Sequence, residues 1–214
     1  MAASSGPGFT IGSPAPVYSS ATVHEAAGRT GALPPRIKPV AAGMTIRGPA
    51  FPVQCTPGNN IWLHRAVYSA PPGSVLVASV GGAHEYGYWG EILTVAALER
   101  RVAGLVIDGC IRDRDPVVAL GFPVFSRGIC IRGTGKDSRG GQFGSPVLIG
   151  DVQVAAGDLI VGDSDGVVSV RQADIGRVSA AAREREDKEA SILRQLRDGA
   201  RSIDLGFVGA DDLG

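Results

Sequence analysis

The central part of the sequence alternates between the patterns of a buried strand and an amphipathic helix. Uninterrupted apolar runs at 74–80 and 104–108 predict two buried strands, and apolar residues at helical spacing from Glu91 to about Arg101 predict a helix between them. Strands that are joined through a helical crossover run parallel. This unit therefore predicts an α/β fold with a parallel core.

Further elements are expected on both sides of this unit. The patterns predict helices at 20–28, 60–68 and 172–197, an interrupted strand at 45–55, and short strands within 144–154 and 159–170. Ser20 or Thr22 could cap the first helix. The prolines within 45–55 predict an edge strand or a bulge, because proline cannot donate a ladder hydrogen bond. Hairpin turns are expected at Gly157-Asp158, Gly162-Asp163 and Asp165-Gly166.

Length and composition limit the possible classes. A chain of 214 residues is expected to form one domain over 17–199, with a C-terminal helix at about 172–198, a disordered tail at 1–16 and a loose tail at 200–214. A net charge of zero disfavours capture of nucleic acid. Neither a membrane-spanning run nor a signal-peptide pattern is present. We expect a cytoplasmic protein with three reduced thiols, at Cys55, Cys110 and Cys130.

Charged residues are expected to meet at one end of the two central strands. Glu91 opens the helix directly after a glycine-rich loop, and Arg112-Asp113 follow the second strand. Ligands bind at the carboxyl ends of such strands. The N–H groups of Ile92 and Leu93 could hold a carboxylate, Arg112 could clamp it, and two carboxylates could hold a divalent cation. This site would stabilise the enolate of a 2-oxo acid, although an Arg–Asp pair that only pins a turn fits the same spacing.

Two more side chains could contact a substrate. His84 lies in the glycine-rich loop and could touch a second carboxylate or transfer a proton, although a surface histidine is the more common case. Lys136 raises the alternative of a Schiff-base aldolase. Its neighbours Gly135 and Asp137 predict a polar loop that would not lower the lysine pKa by burial, which favours contact with a distal substrate carboxylate. His64 is expected to be structural.

Several segments match a known family in the same order. Twenty residues separate Glu91 from Arg112-Asp113, and the family signature has an acidic residue and Arg-Asp at this spacing. Other matching segments are Ile37-Lys38-Pro39, Gly48-Pro49-Ala50 and residues 161–167. Over about 21–197, the sequence resembles the family that contains class II pyruvate aldolases and RraA-type ribonuclease regulators.

The resemblance implies both a fold and an activity. The fold would be a single compact αββα-type sandwich of the swivelling β/β/α type. The activity would be that of a lyase dependent on Mg²⁺ or Mn²⁺. It would cleave 4-hydroxy-4-methyl-2-oxoglutarate or 4-carboxy-4-hydroxy-2-oxoadipate to release pyruvate, in the degradation of aromatic compounds. Oxaloacetate decarboxylation is the implied side activity.

The resemblance also implies roles for individual residues. Asp113 would bind the metal directly and Glu91 through water. Arg112 would face the pyruvate carboxylate and keto oxygen, beside the N–H groups of Ile92 and Leu93. An acidic residue from a neighbouring subunit would complete the metal shell, which implies a trimer or hexamer. The matching positions are Glu189 first and Glu186 second. Some relatives carry an acid three positions after the aspartate, where this sequence has Pro116.

Functions of other classes use the same fold. A non-catalytic regulator that binds a ribonuclease would have no need of a metal site, so the intact set of Glu91, Arg112 and Asp113 favours an enzyme. A lyase or decarboxylase for another keto acid is a third hypothesis, because the loops that set substrate length cannot be derived from the sequence.

Overall fold

The computed structural model describes residues 18–137 and 139–205, so the predicted disorder of 1–16 and most of the tail at 200–214 lie outside it. The helices in this part are α1 (Ser20–Ala26), α2 (Ile61–Ser69), α3 (Glu91–Glu99), α4 (Arg114–Ala119) and α5 (Ile175–Arg197), with 3-10 turns at Gln172–Asp174 and Ser202–Leu205. None of these helices is both long and apolar enough to cross a bilayer.

Most strands join one mixed sheet. In chain order they are β1 (Lys38–Pro39), β2 (Ile46–Gln54), β3 (Val75–Ser79), β4 (Gly104–Ile107), β5 (Cys110–Ile111), β6 (Val124–Ser126), β7 (Gly128–Ile129), β8 (Gln142–Phe143), β9 (Val147–Ile149), β10 (Val152–Val154), β11 (Leu159–Asp163) and β12 (Gly166–Val170). The main sheet has the order β1-β6-β4-β3-β2-β11-β12, with β8 also on β2. Strands β9 and β10 form an antiparallel hairpin, and β5 and β7 a parallel pair.

The predicted parallel unit forms the centre of this sheet. Strands β3 and β4 are connected through α3 and pair in parallel, with Val77 opposite Val106. The β2–β3 and β4–β6 pairs are also parallel. Every residue of β3 and β4 is buried, because both faces of the sheet are covered, and this accounts for their unbroken apolar runs.

Helices cover one face of the parallel strands, and the β9–β10 hairpin covers the other. Leu76 and Ala78 of β3 pack into the cluster that contains α2 and α3. Val75 and Val77 pack into the opposite cluster, which contains Val147 of the hairpin. A third cluster joins α1 and α5 to β11 and β12. This layering agrees with the expected β/β/α order.

Strand β2 lies inside the sheet, so the predicted edge position of 45–55 was wrong. Its prolines are tolerated because β2 changes partners along its length. Strand β11 pairs with the first half, β3 pairs from Ala50 onward, and β8 joins at Val53. The Pro52 carbonyl accepts a hydrogen bond from the Gly144 N–H at 2.9 Å. The N–H that Pro52 lacks would point to that same side, where β11 pairing has ended.

Three local predictions need correction. The N-cap of α1 is Ser19, whose hydroxyl accepts from the Thr22 N–H at 3.1 Å, rather than Ser20 or Thr22. Gly162-Asp163 lie at the end of β11, so the hairpin turn falls at 164–165. Helix α4 had no counterpart in the sequence prediction, which placed only a turn there.

Candidate functional site

The predicted acidic and Arg-Asp residues meet at the N-terminus of α3. Asp113 Oδ2 accepts a hydrogen bond from the Glu91 N–H at 3.2 Å, and Arg112 Nε lies 3.7 Å from the same oxygen. Asp113 has φ 54° and ψ 41°, a left-handed conformation that residues other than glycine rarely adopt. Backbone strain of this kind is often concentrated at functional sites. The Arg112 and Asp113 side chains remain 45% and 39% exposed, so a ligand can reach both.

Two glycines of the preceding loop permit this close approach. A Cβ at Gly90 would overlap Asp113 Oδ2 and lie 3.3 Å from Arg112 Cγ. A Cβ at Gly87 would lie 2.9 Å from Arg112 Cβ and 2.6 Å from the Cys130 carbonyl oxygen. Since real Cβ atoms do not approach their neighbours this closely, a side chain at either position would displace the Arg-Asp turn.

Backbone hydrogen bonds fix the glycine-rich loop to β5. The Cys110 N–H donates to the His84 carbonyl at 2.9 Å, and the Tyr88 N–H donates to the Cys110 carbonyl at 3.1 Å. The Arg112 N–H donates to the Trp89 carbonyl at 2.8 Å. The Tyr88 and Trp89 side chains are 0% and 1% exposed. The loop is therefore itself packed into the core, and it holds the exposed Arg112 and Asp113 side chains in place.

The start of α3 provides unused backbone donors. The first intrahelical bond runs from the Thr94 N–H to the Gly90 carbonyl at 3.0 Å, and Asp113 takes the Glu91 N–H. Within the described ranges, the N–H groups of Ile92 and Leu93 have no protein acceptor, as is usual in the first turn of a helix. The predicted anion donors are therefore available beside Asp113.

His84 belongs to a cluster that the sequence analysis did not identify. Its Nδ1 lies 2.5 Å from the Asp108 carbonyl oxygen and 3.8 Å from the Asp108 carboxylate. Arg127 Nε donates to that carboxylate at 2.6 Å, and Asp108 is only 7% exposed. The signal that could have found Asp108 was a carboxylate directly after an apolar strand. No contact joins His84 to Arg112 in the described part of the chain, so the predicted substrate role of His84 stays a prediction.

A buried asparagine places Lys136 beside the site. The Lys136 ammonium donates to Asn60 Oδ1, and the Asn60 side-chain amide donates to the Tyr88 carbonyl at 2.7 Å. Partial burial, and secondly the charge of Arg112, lower the pKa of Lys136. The expectation that burial would leave this pKa unchanged was therefore wrong. Burial, and then the charge of Lys136, lower the pKa of His64 on α2.

Of the acidic residues predicted to hold a metal, only Glu91 and Asp113 lie at the start of α3. Glu189 pairs with Arg185 of the same helix at 2.8 Å, and neither Glu189 nor Glu186 contacts Asp113 in the described residues. Across 18–137 and 139–205, no group of three His, Cys, Asp or Glu side chains could hold a metal ion. Mg²⁺ commonly takes one or two protein carboxylates and keeps several waters, so the exposed Asp113 carboxylate, with the exposed side chain of Glu91 at the start of α3, has the right donor chemistry for it.

The sequence of this chain is similar to those of known proteins. A family model for RraA-like proteins, described as Aldolase/RraA, matches residues 20–169. A protein of Halalkalibacterium halodurans named "Putative 4-hydroxy-4-methyl-2-oxoglutarate aldolase" is 34% identical over 167 residues, which cover 78% of this chain and 79% of that protein.

Solved structures share the fold. An uncharacterized protein of Pseudomonas syringae matches with a TM-score of 0.75 at 32% identity, over 88% of this chain and 92% of its own. Streptomyces coelicolor RraAS2, described as an unusual member of the RNase ES inhibitor RraA protein family, matches with a TM-score of 0.70 at 30% identity, over 82% and 93%. The expected α/β fold and the resemblance drawn from the sequence are both confirmed.

Proposed function

Since the chain belongs to the RraA-like Aldolase/RraA family, we propose that it is a divalent-metal-dependent aldolase that releases pyruvate. Its substrates are 4-hydroxy-2-oxo acids with at least one further carboxylate, such as 4-carboxy-4-hydroxy-2-oxoadipate or 4-hydroxy-4-methyl-2-oxoglutarate. The name of the Halalkalibacterium halodurans relative supports aldol chemistry. Oxaloacetate decarboxylation uses the same enolate and is the proposed side activity.

One observation carries this proposal. The Asp113 carboxylate lies on the first N–H of α3, beside the Arg112 guanidinium and the unused donors of Ile92 and Leu93. Backbone anion donors, a guanidinium and the Asp113 carboxylate thus meet at the start of α3, and the exposed side chain of Glu91 begins at the same point. Gly87 and Gly90 pack closely against Arg112 and Asp113 and so hold these side chains at the start of α3.

The proposed metal ion is Mg²⁺ or Mn²⁺, held directly by Asp113 and through water by Glu91. When bound, such an ion polarises the keto oxygen of the substrate as a Lewis acid. Glu189 of the partner subunit would complete the shell in a trimer or hexamer. The Glu189 side chain is 44% exposed, and its ion pair with Arg185 of the same helix is partly open to solvent and therefore weak, which supports that role.

The side chains and N–H groups of the site would guide the cleavage. Ile92 and Leu93 N–H groups would hold the substrate carboxylate, and Arg112 would bind that carboxylate and the 2-keto oxygen. A water held by Glu91 would accept the proton of the 4-hydroxyl. The C3–C4 bond then breaks, its electron pair forms the pyruvate enolate, and C4 becomes a carbonyl carbon. Arg112 and the N-terminus of α3 stabilise the enolate charge until C3 is protonated.

A non-catalytic regulator is the second candidate, because the structure of RraAS2, at 30% identity, is described within an RNase inhibitor family. The two candidates predict different results in a pull-down from cell extract. Stable capture of a ribonuclease, together with no pyruvate release from any of the three keto acids, would favour the regulator.

The direct test is an assay of pyruvate release from the two hydroxy-oxo acids and from oxaloacetate. We expect activity with Mg²⁺ or Mn²⁺, its loss after treatment with EDTA, and its return when metal is added. An Asp113→Ala variant should lose at least about 10²-fold in kcat/KM, since it removes the proposed direct ligand. Glu99→Ala, which removes an exposed carboxylate at the other end of α3, is the matched control and should keep full activity.

Two outcomes would reject the proposal. Activity that survives complete removal of metal would exclude the metal-dependent route. Full activity of the Asp113→Ala variant would remove the central ligand from the argument, even if the wild-type protein is an aldolase.

A further inference from the structure

The geometry points to Lys136 as the residue that selects substrates with a second carboxylate, with Asn60 as the residue that positions it beside Arg112. This inference rests on the proposed function, because it assigns a binding group to the extra carboxylate of that substrate class. It is carried by the contacts of the loop that contains Lys136.

The Lys136 loop is tied to the segment before α2. The Gly135 N–H donates to the Gly58 carbonyl at 2.8 Å, and the Asn60 N–H donates to the Gly135 carbonyl at 3.3 Å. The Lys136 ammonium then meets Asn60 Oδ1. Since Asn60 is only 5% exposed, its side chain is held in one orientation. Lys136 itself is exposed, so this hydrogen bond and the two backbone bonds of its loop favour one position of the ammonium before any ligand binds, which lowers the entropic cost of binding.

The same contacts bring Lys136 next to the candidate site. The Asn60 amide donates to the Tyr88 carbonyl at 2.7 Å, and the next carbonyl, that of Trp89, accepts the Arg112 N–H at 2.8 Å. Lys136 and Arg112 are thus anchored on consecutive residues of the loop that leads into α3. A substrate held by Arg112 and the start of α3 would extend past this ammonium.

The charges around Lys136 leave it without a protein counter-ion. Within the described residues no carboxylate lies within ion-pair distance of its ammonium, and the adjacent Asp137 pairs with Arg139 at 2.5 Å. Partial burial lowers the pKa of Lys136, and the charge of Arg112, which pairs with Asp113, adds a smaller lowering by repulsion. A substrate carboxylate between Lys136 and Arg112 would neutralise the pair and form charge-assisted hydrogen bonds.

The test compares two unreactive ligands that differ only in the distal group. 2-Oxoglutarate carries a second carboxylate, and 2-oxopentanoate carries a methyl group in its place. Their Kd values are measured by calorimetry on the full chain in the presence of Mg²⁺. For Lys136→Met we expect about a tenfold weaker Kd for 2-oxoglutarate, equivalent to about 1.4 kcal/mol, and less than about a twofold change for 2-oxopentanoate.

Charge reversal and a matched control sharpen the test. Lys136→Glu should weaken the binding of 2-oxoglutarate more than Lys136→Met does, again without changing the Kd of 2-oxopentanoate. Lys38→Met removes an exposed ammonium that bonds the Asp165 carbonyl elsewhere on the protein, and it should change neither Kd. Thermal melting of each variant confirms that the fold is intact.

Several results would overturn the inference. One is that the wild-type protein binds the two acids equally well, and another is that it binds neither. A third is that Lys136→Met raises the Kd of both acids by the same factor. None of these results depends on catalysis. If the protein releases pyruvate but gives one of these binding results, only the role of Lys136 is disproved. If the Kd values change as expected but no pyruvate is released, only the proposed function is disproved.

Discussion

Replacing Gly90 with alanine should separate the geometry of the site from the stability of the fold. Gly90 has φ −164° and ψ −167°, extended values that alanine also adopts, so the backbone itself is not strained by the change. The new Cβ would overlap Asp113 Oδ2 and lie 3.2 Å from its Cγ. Ordinary carbon contacts begin at about 3.5 Å, so the carboxylate has to move by about 1 Å.

The two consequences of this movement differ in size. The Asp113 carboxylate is 39% exposed and can swing toward solvent, so the main loss of stability is its bond to the Glu91 N–H. That bond contributes about 1 kcal/mol, equivalent to about 2–4 °C in Tm for a chain of this size. A shift of about 1 Å in a catalytic group can cost about 10²-fold in rate. We therefore expect Gly90→Ala to lose about 10²-fold in kcat/KM while melting only a few degrees lower.

The assay measures pyruvate release alongside a thermal melt. Gly176→Ala is the control, because a Cβ at that exposed position of α5 meets no atom of the described residues within 4 Å and alanine favours helix. Wild-type kcat/KM for Gly90→Ala would refute the argument that Asp113 must lie against the start of α3. A fall in Tm of 10 °C or more would show instead that the glycine serves the fold.

Two further predictions concern other parts of the molecule. Burial acts to raise the pKa of Asp163, but hydrogen bonds from the hydroxyl and N–H of Ser20 and from nearby N–H groups outweigh it and hold the pKa below 3.8. The contribution of the Asp163 carboxylate to the free energy of unfolding is therefore complete above pH 3.8, and it is lost as the pH falls through the lower pKa of the folded state. Asp163→Asn should reduce the free energy of unfolding by about 1–2 kcal/mol at pH 7, and urea titrations should show this difference vanish in strong acid. Burial raises the pKa of Cys55 to about 12. At pH 8 a thiol reagent should therefore modify only Cys110 and Cys130 in the native protein, and all three thiols after denaturation. Rapid labelling of Cys55 in the native protein would contradict its burial.

The elements that could be predicted from sequence were those whose residue pattern is set by the burial of that segment alone. Strands β3 and β4 are buried on both faces, so their sequences are apolar throughout and their parallel pairing follows from the helix between them. Strand β2 was misplaced because Pro49 and Pro52 are allowed by a change of neighbours along the strand, which depends on segments at least 88 residues away. A local proline rule cannot contain that information.

The candidate site divides in the same way. The spacing of Glu91 and Arg112-Asp113 predicted that these residues lie near each other, and the structure brings them to the start of α3. The left-handed conformation of Asp113 was not predictable, because aspartate rarely adopts it without tertiary support. The link between Lys136 and Asn60 joins segments that are distant in sequence, and no periodicity or spacing signals such a contact.

The hydrogen bonds of the glycine-rich loop have a consequence for how a substrate enters. The Gly87, Tyr88 and Arg112 amides all donate to backbone carbonyls, and the Tyr88 and Trp89 rings are buried. Amide hydrogens at these positions should exchange with deuterium as slowly as those of the sheet interior, with or without ligand. A turnover limited by opening and closing of this loop is therefore not expected. Substrate would meet a surface that is already in its final shape, and the temperature dependence of the rate would report on bond cleavage or product release rather than on loop motion.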